Sequence, residues 1–224
     1  MNEPIPLSQK IYLLGIHPEK GGIISAAYTA MDYVLLGTLF LELFLNKNVI
    51  FENKRIILTN RKSEVRLHQF MIQKLENAKR DLKISRWMNR LYFSLKFIRG
   101  EVQQGLVDKR IIKLRRRRFL FFRWNTPVII NKQAVYQLAS AVETHIFKGT
   151  TNEEEIMLLS FLKPAGLMKR LFPEKEKRKN ASRRLNKLMV ENQVSQAVAD
   201  AISASRAVAA SVAATAAASA ATSS

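Results

Sequence analysis

The 224-residue chain has no cysteine. That excludes a disulfide framework, thiolate chemistry and a zinc–thiolate site. Histidine is nearly as scarce. His17, His68 and His145 fall in three different expected elements, and none has the i, i+3 or i+4 partner that a metal site needs. Acids are outnumbered, 18 against 37 Lys and Arg. They cluster only at Glu153-Glu154-Glu155, which reads as the acidic first turn of a helix. No glycine loop suits a nucleotide phosphate, because Lys20-Gly21-Gly22 lacks the full spacing. The apolar run near the N-terminus is short, is interrupted by Gln9 and Lys10, and has no basic region before it, so no signal peptide is expected. No internal repeat is present. The reading is therefore a non-catalytic protein with no metal and no cofactor.

What the chain does have is positive charge. Its formal net charge is +19, which points to an anionic partner: phospholipid, nucleic acid or an acidic protein. The length suffices for one compact domain with a real core and a tail. One run is long and apolar, Ile23 to Leu45, interrupted by Asp32 and Glu42. A central acid costs ~3 kcal/mol in hydrocarbon. Ser25, Thr29 and Asp32 share one helical face and could satisfy one another, so a buried core helix is expected rather than a membrane span.

The other elements follow from periodicity and punctuation. Leu7 to Leu14 is a short helix or turn with Ser8 as candidate N-cap, and Pro18 to Gly22 is a loop. Val49 to Phe51 and Arg55 to Leu58 are strands joined by a turn, and a helix followed by such a ribbon has a winged-helix outline. Val65 to Ala78 is a helix started at Ser63-Glu64. A long helix from Trp87 to Asp108 follows, with Ser85 as its cap. Asn131 to Phe147 is a helix stopped by Gly149. Thr151 or Asn152 caps the next, and Glu174 to Lys187 runs helically on to Val190. Residues 1–205 form the domain, and 206–224 form an Ala/Ser-rich flexible tail. The fold class is mostly α: a single compact helical domain with short β-hairpins and one projecting basic and hydrophobic hairpin.

That hairpin is the stretch most difficult to bury. Ile111, Ile112 and Leu114 lead into Arg115, Arg116, Arg117 and Arg118, followed by Phe119, Leu120, Phe121 and Phe122. Arginine is seldom buried without a partner, and no acid is near in sequence. The arginines and rings are therefore expected at an outward tip. Pro127 cannot donate a ladder hydrogen bond, so the second strand should leave the sheet there. A bland reading packs Phe119, Phe121 and Trp124 inward. The functional reading puts Arg115 to Arg118 on an anionic leaflet and inserts Phe119, Leu120 and Phe121. A winged-helix wing in a nucleic-acid groove is the alternative, which the greasy tip disfavours.

The order Pro6-Leu-Ser, Leu-Leu-Gly15, Gly37-Thr-Leu-Phe-Leu-Glu-Leu43 and Val49-Ile-Phe51 resembles the Golgi phosphoprotein 3 family. Leu106-Val-Asp-Lys-Arg-Ile-Ile112 followed by Arg118-Phe-Leu-Phe-Phe-Arg123 and Pro127 is similar to that family's helix and hairpin. The resemblance implies a mostly α-helical domain, peripheral on the cytosolic face of a membrane (the Golgi in eukaryotes). It also implies phosphatidylinositol 4-phosphate as ligand, no catalysis, and capture of the cytosolic tails of membrane enzymes. The hairpin would serve in membrane insertion or homo-oligomer formation. Two basic positions of the family's lipid pocket fall on Lys96 and Arg99, which would hold the lipid phosphate. Its tryptophan falls on Ala27 and its other arginine on Leu36, so this chain departs from the pattern at both.

Overall fold

The computed structural model describes residues 4–53, 55–78, 81–83, 86–87, 90–191, 199 and 202–203. The expected cap Ser85, Lys54 of the first turn and the Ala/Ser-rich tail lie outside these. The described residues form eight α-helices and two separate antiparallel strand pairs around one core.

The fold is organised on the apolar run. It forms helix α2, Ser25–Leu45, 21 residues long. Its length and composition would suit a membrane, yet 67% of its apolar window is buried inside the domain. Helix α1, Leu7–Gly15, packs along it with Leu7, Ile11, Leu13 and Leu14 buried. Ser8 is not the N-cap of α1: Pro6 holds that position, and Ser8 is itself buried in the first turn. The Ser8 amide donates instead to Glu42 Oε1 of α2 at 2.6 Å. Glu42 Oε2 lies 2.8 Å from His68 Nε2, and both side chains are almost wholly buried. The acid that interrupts the apolar run is thus a core acceptor. It answers one of the orphan amides of α1 and the ring of a residue on α3, Arg66–Glu76.

Strands β1, Val49–Glu52, and β2, Arg55–Leu58, form the first ribbon, with Val49 opposite Leu58. A 3₁₀ turn at Tyr92–Ser94 precedes helix α4, Leu95–Asp108. This corrects the expectation of continuous helix from Trp87. The apolar stripe of α4 is as expected, with Leu95, Ile98, Val102 and Leu106 buried.

Strands β3, Ile112–Phe119, and β4, Phe122–Ile129, form the second hairpin. Helix α5, Lys132–Lys148, starts where Asn131 accepts the Ala134 amide at 3.0 Å and ends at Gly149, φ 90°. Helix α6, Glu153–Phe161, is capped by Asn152, which accepts the Glu155 amide at 3.1 Å. The acidic turn does more than suit the dipole. Glu154 and Glu155 hold Lys10 of α1 at 2.7 and 3.3 Å, and Glu155 lies 3.3 Å from His145. A short helix α7, Met168–Leu171, and the basic helix α8, Lys175–Glu191, close the domain over α5 and α6.

Two sequence expectations for the second hairpin fail for one reason, its register. Pro127 does not end β4; it stands opposite Leu114, and pairing continues to Ile112 opposite Ile129. The Pro127 carbonyl accepts the Gly22 amide at 2.8 Å, so the polar edge of this residue faces away from β3 and the missing N–H costs no ladder bond. Gly21 and Gly22 both have positive φ, 71° and 72°. A Cβ on Gly21 would come within 2.7 Å of the Pro127 carbonyl oxygen. The glycine pair that fails as a phosphate loop is therefore what lets this loop grip the hairpin. Secondly, the arginines are not at the tip. They climb β3, and the turn itself is Leu120-Phe121, between paired Phe119 and Phe122.

Candidate functional site: a basic cleft beside an apolar tip

Side chains alternate across a strand, and the register assigns each to a face. On one face of β3 stand Ile112, Leu114, Arg116 and Arg118, opposite Ile129, Pro127, Asn125 and Arg123 of β4. At its base this face is buried core: Ile112, Pro127 and Ile129 have almost no exposure. Towards the tip it rises out of the core and turns cationic. Arg115 and Arg117 stand on the opposite face. The four consecutive arginines therefore split two and two, and none of them packs in the interior.

The cationic face looks across a cleft of about 920 Å³ to α4. From α4 come Lys96, Arg99 and Gln103; from the hairpin come Arg116, Arg123 and Trp124. Tyr12, Tyr28 and the Gly22 loop close the remaining sides. Lys96 and Arg99 are thus brought together, as their i, i+3 spacing requires, and Arg116 joins them. Ala27 and Leu36 are buried in the core and do not line the cleft. Tyr28 lines it instead, and Trp124, which pairs with Arg117 on the other face of the hairpin, borders it.

Electrostatics keep the cleft positive. Among the described residues its lining holds no acid, and Asp32 of α2 lies against one of its cations, with Oδ1 3.5 Å from Arg99 Nε. This is an ion pair without a hydrogen bond, because that oxygen has no hydrogen-bond partner. The expected Ser25–Thr29–Asp32 network is absent among the described residues, since Ser25 and Thr29 are exposed. Burial pushes the Asp32 carboxyl above its usual range, and Arg99 offsets only part of that. At the floor, burial pushes the Tyr12 phenol up to about 12, with the Gln103 amide and Arg99 pulling the other way. Tyr12 is therefore a neutral hydroxyl at physiological pH. No acid pairs with Lys96, Arg116 or Arg123 among the described residues. The arrangement can hold a dianionic group such as a phosphate monoester, with guanidinium forks from two walls and ring faces beside it.

Beyond the cleft the hairpin ends in bare apolar surface. Phe121 is 94% exposed, Phe122 72% and Leu120 65%. The inward-packing reading of Phe121 and Trp124 is thereby excluded. Phe119 is paired with Phe122 in the backbone ladder, and its side chain lies outside the described residues. Leu120 has φ 51°, where two-residue hairpins usually place glycine or asparagine. An L-residue with a Cβ there costs ~1 kcal/mol or more. The turn carries that strain with an exposed apolar side chain at the position. Arg118 Nε steadies it by donating to the Leu120 carbonyl at 3.2 Å.

Arg123 and the two tyrosines were not singled out from sequence as site residues; Trp124 entered only in the inward-packing reading and Phe122 only as part of the apolar cluster. The only signal for Arg123 and Phe122 was strand alternation, which needs the turn to be placed correctly first. No group of three His, Cys, Asp or Glu that could hold a metal occurs among the described residues.

Fold and site together define a class: a mostly helical domain that offers a basic cleft beside an exposed apolar hairpin tip. No curated protein matches the chain. The profile of the Golgi phosphoprotein 3 (GPP34) family matches residues 7–205, and the chain belongs to that family.

Proposed function

We propose that this protein is a non-catalytic, peripheral membrane protein that docks on an anionic bilayer from the cytosolic side. The cleft takes a phospholipid phosphate, with phosphatidylinositol 4-phosphate the ligand its family suggests, and the tip enters the interface. The observation that carries the reading is the adjacency of unpaired cations and bare apolar rings on one hairpin. An aqueous ligand or a nucleic-acid groove would use the arginines and leave the rings in water. A bilayer uses both. Self-association through the hairpin and capture of the cytosolic tails of membrane enzymes are further proposals on the same reading.

Co-sedimentation with vesicles of matched charge, containing either phosphatidylserine or phosphatidylinositol 4-phosphate, tests the assignment. Stronger binding to the phosphoinositide is the expected result, and loss of Arg116 and Arg123 (both to Ser) should weaken it by about thirtyfold at ~1 kcal/mol per charge. The same double change at Arg115 and Arg117, on the other face, should weaken binding less. Equal losses from both pairs would count against the cleft.

Asp32 supplies a test of opposite sign. Asp32→Asn removes the acid beside Arg99 and should tighten binding about fivefold. Weaker binding would show instead that Asp32 is needed to position Arg99.

A further inference from the structure

A second apolar projection stands at the start of α4. Phe93 is 93% exposed and Tyr92 56%, and their rings meet edge to face at 5.5 Å. They sit on the 3₁₀ turn that breaks the expected long helix. Such exposure of two neighbouring rings is unusual in a soluble domain. Neither lines the cleft, and the proposed function makes no use of them.

Their position follows from the chain path. Helix α4 and strand β3 leave the same corner, the Asp108–Ile112 turn, and line opposite walls of one cleft. They therefore run back side by side. At 1.5 Å per helical residue, Arg99 lies ~13 Å from that corner and Phe93 ~22 Å. At about 3.3 Å per strand residue, Arg116 lies ~13 Å from it and Leu120 ~26 Å. Arg99 and Arg116, which both line the cleft, thus lie at about the same distance from the corner along their elements. The hairpin tip and the Tyr92-Phe93 turn consequently project past the same end of the cleft, one from each wall. Lys96 follows Phe93 by one helical turn, so a cleft cation stands directly behind the second projection. Phe97 packs against Phe70 at 4.6 Å and anchors the turn to α3.

We propose that Tyr92 and Phe93 form a second membrane-inserting element, so that the protein stands on the bilayer with two apolar feet and the cationic cleft between them. This rests on the bilayer reading of the cleft and tip. The occupant is lipid rather than protein because the projection continues the rim of the cleft and has a cation behind it. Two separated feet fix the tilt of the domain, which a single hairpin tip cannot do.

The absence of cysteine permits a direct test. Phe93→Cys, Phe121→Cys and, as control, Val190→Cys on α8 each carry one environment-sensitive fluorophore. Vesicles of phosphatidylcholine and phosphatidylserine are added, with and without lipid-borne quencher. Blue-shifted, quenched emission at both 93 and 121, but not at 190, is expected. Signal at 121 with none at 93 would overturn the second foot and leave the tip standing. Signal at neither would overturn both. Phe93→Ser should weaken vesicle binding about tenfold while leaving the thermal midpoint unchanged, since an exposed ring contributes little to the fold. If Phe93→Ser instead abolishes a dimer in sedimentation and leaves vesicle binding intact, the surface is a protein interface and the proposal is wrong.

Discussion

Replacing Leu120, Phe121 and Phe122 together by serine is expected to abolish detectable vesicle binding while the domain remains folded. Burying a leucine or phenylalanine side chain is worth ~1.5–3 kcal/mol. Three that are mostly exposed in the free protein, and only partly withdrawn from water at an interface, supply about 4 kcal/mol, or roughly a thousandfold in affinity. The folded state loses little, because these side chains are largely solvent-exposed and touch no core. Relief of the left-handed Leu120 is small, since serine has a Cβ as well. Tryptophan fluorescence and thermal midpoint should be those of the wild type. A variant that still sediments with acidic vesicles would place the insertion elsewhere.

Glu42→Ala should have a comparable effect on stability and none that is specific to lipid. It strands the Ser8 amide and the His68 ring in a region with almost no exposure. Removing one member of a buried, hydrogen-bonded constellation costs ~3–5 kcal/mol. Such a loss is a large part of the stability of a typical domain. Glu42→Gln keeps an acceptor for Ser8 and should cost about half as much. Urea titration of the two variants checks the ordering. If alanine costs no more than glutamine, water must reach the site and the buried network is not holding α1, α2 and α3 together.

The helices were legible in the sequence where one residue type dominates locally. The apolar run had to be α2, because only burial tolerates it and its acids told against hydrocarbon. Asn152 before Glu153-Glu154-Glu155 could hardly be anything but a capped start. Lys96 and Arg99 came through the family resemblance, and their i, i+3 spacing put them on one helical face. What escaped depends on contacts across the chain. Glu42 and His68 are 26 residues apart and nothing local links them. Ser8 looked like a cap because its side chain suits one, but only the fold brings the Glu42 carboxylate to its amide. Pro127 lacks an N–H in any context; whether that matters depends on which edge the residue turns outward, and the Gly22 loop decides it. The arginine run looked like a single knot because four neighbours of one charge give no face signal. Only the register, fixed by the two-residue Leu120-Phe121 turn, separates Arg116 and Arg118 from Arg115 and Arg117.

Gly21 and Gly22 tie the loop to the hairpin at Pro127, on one side of the cleft. The charge is not spread evenly in effect, because among the described residues, of the cleft cations only Arg99 faces an acid, Asp32, while Lys10 and Lys177 are paired with Glu154 and Glu143. Attraction to a leaflet should therefore be strong at low salt and fade as the screening length shrinks.

Sedimentation of the wild-type chain with vesicles, at increasing fractions of acidic lipid and at two salt concentrations, separates a bilayer partner from a nucleic-acid one. The chain should not bind phosphatidylcholine alone, should bind steeply more as acidic lipid rises, and should lose part of its binding at high salt, with a remainder owed to the apolar tip. A chain that stays in the supernatant with acidic vesicles, yet shifts duplex DNA or RNA in a gel at the same salt, would contradict membrane docking.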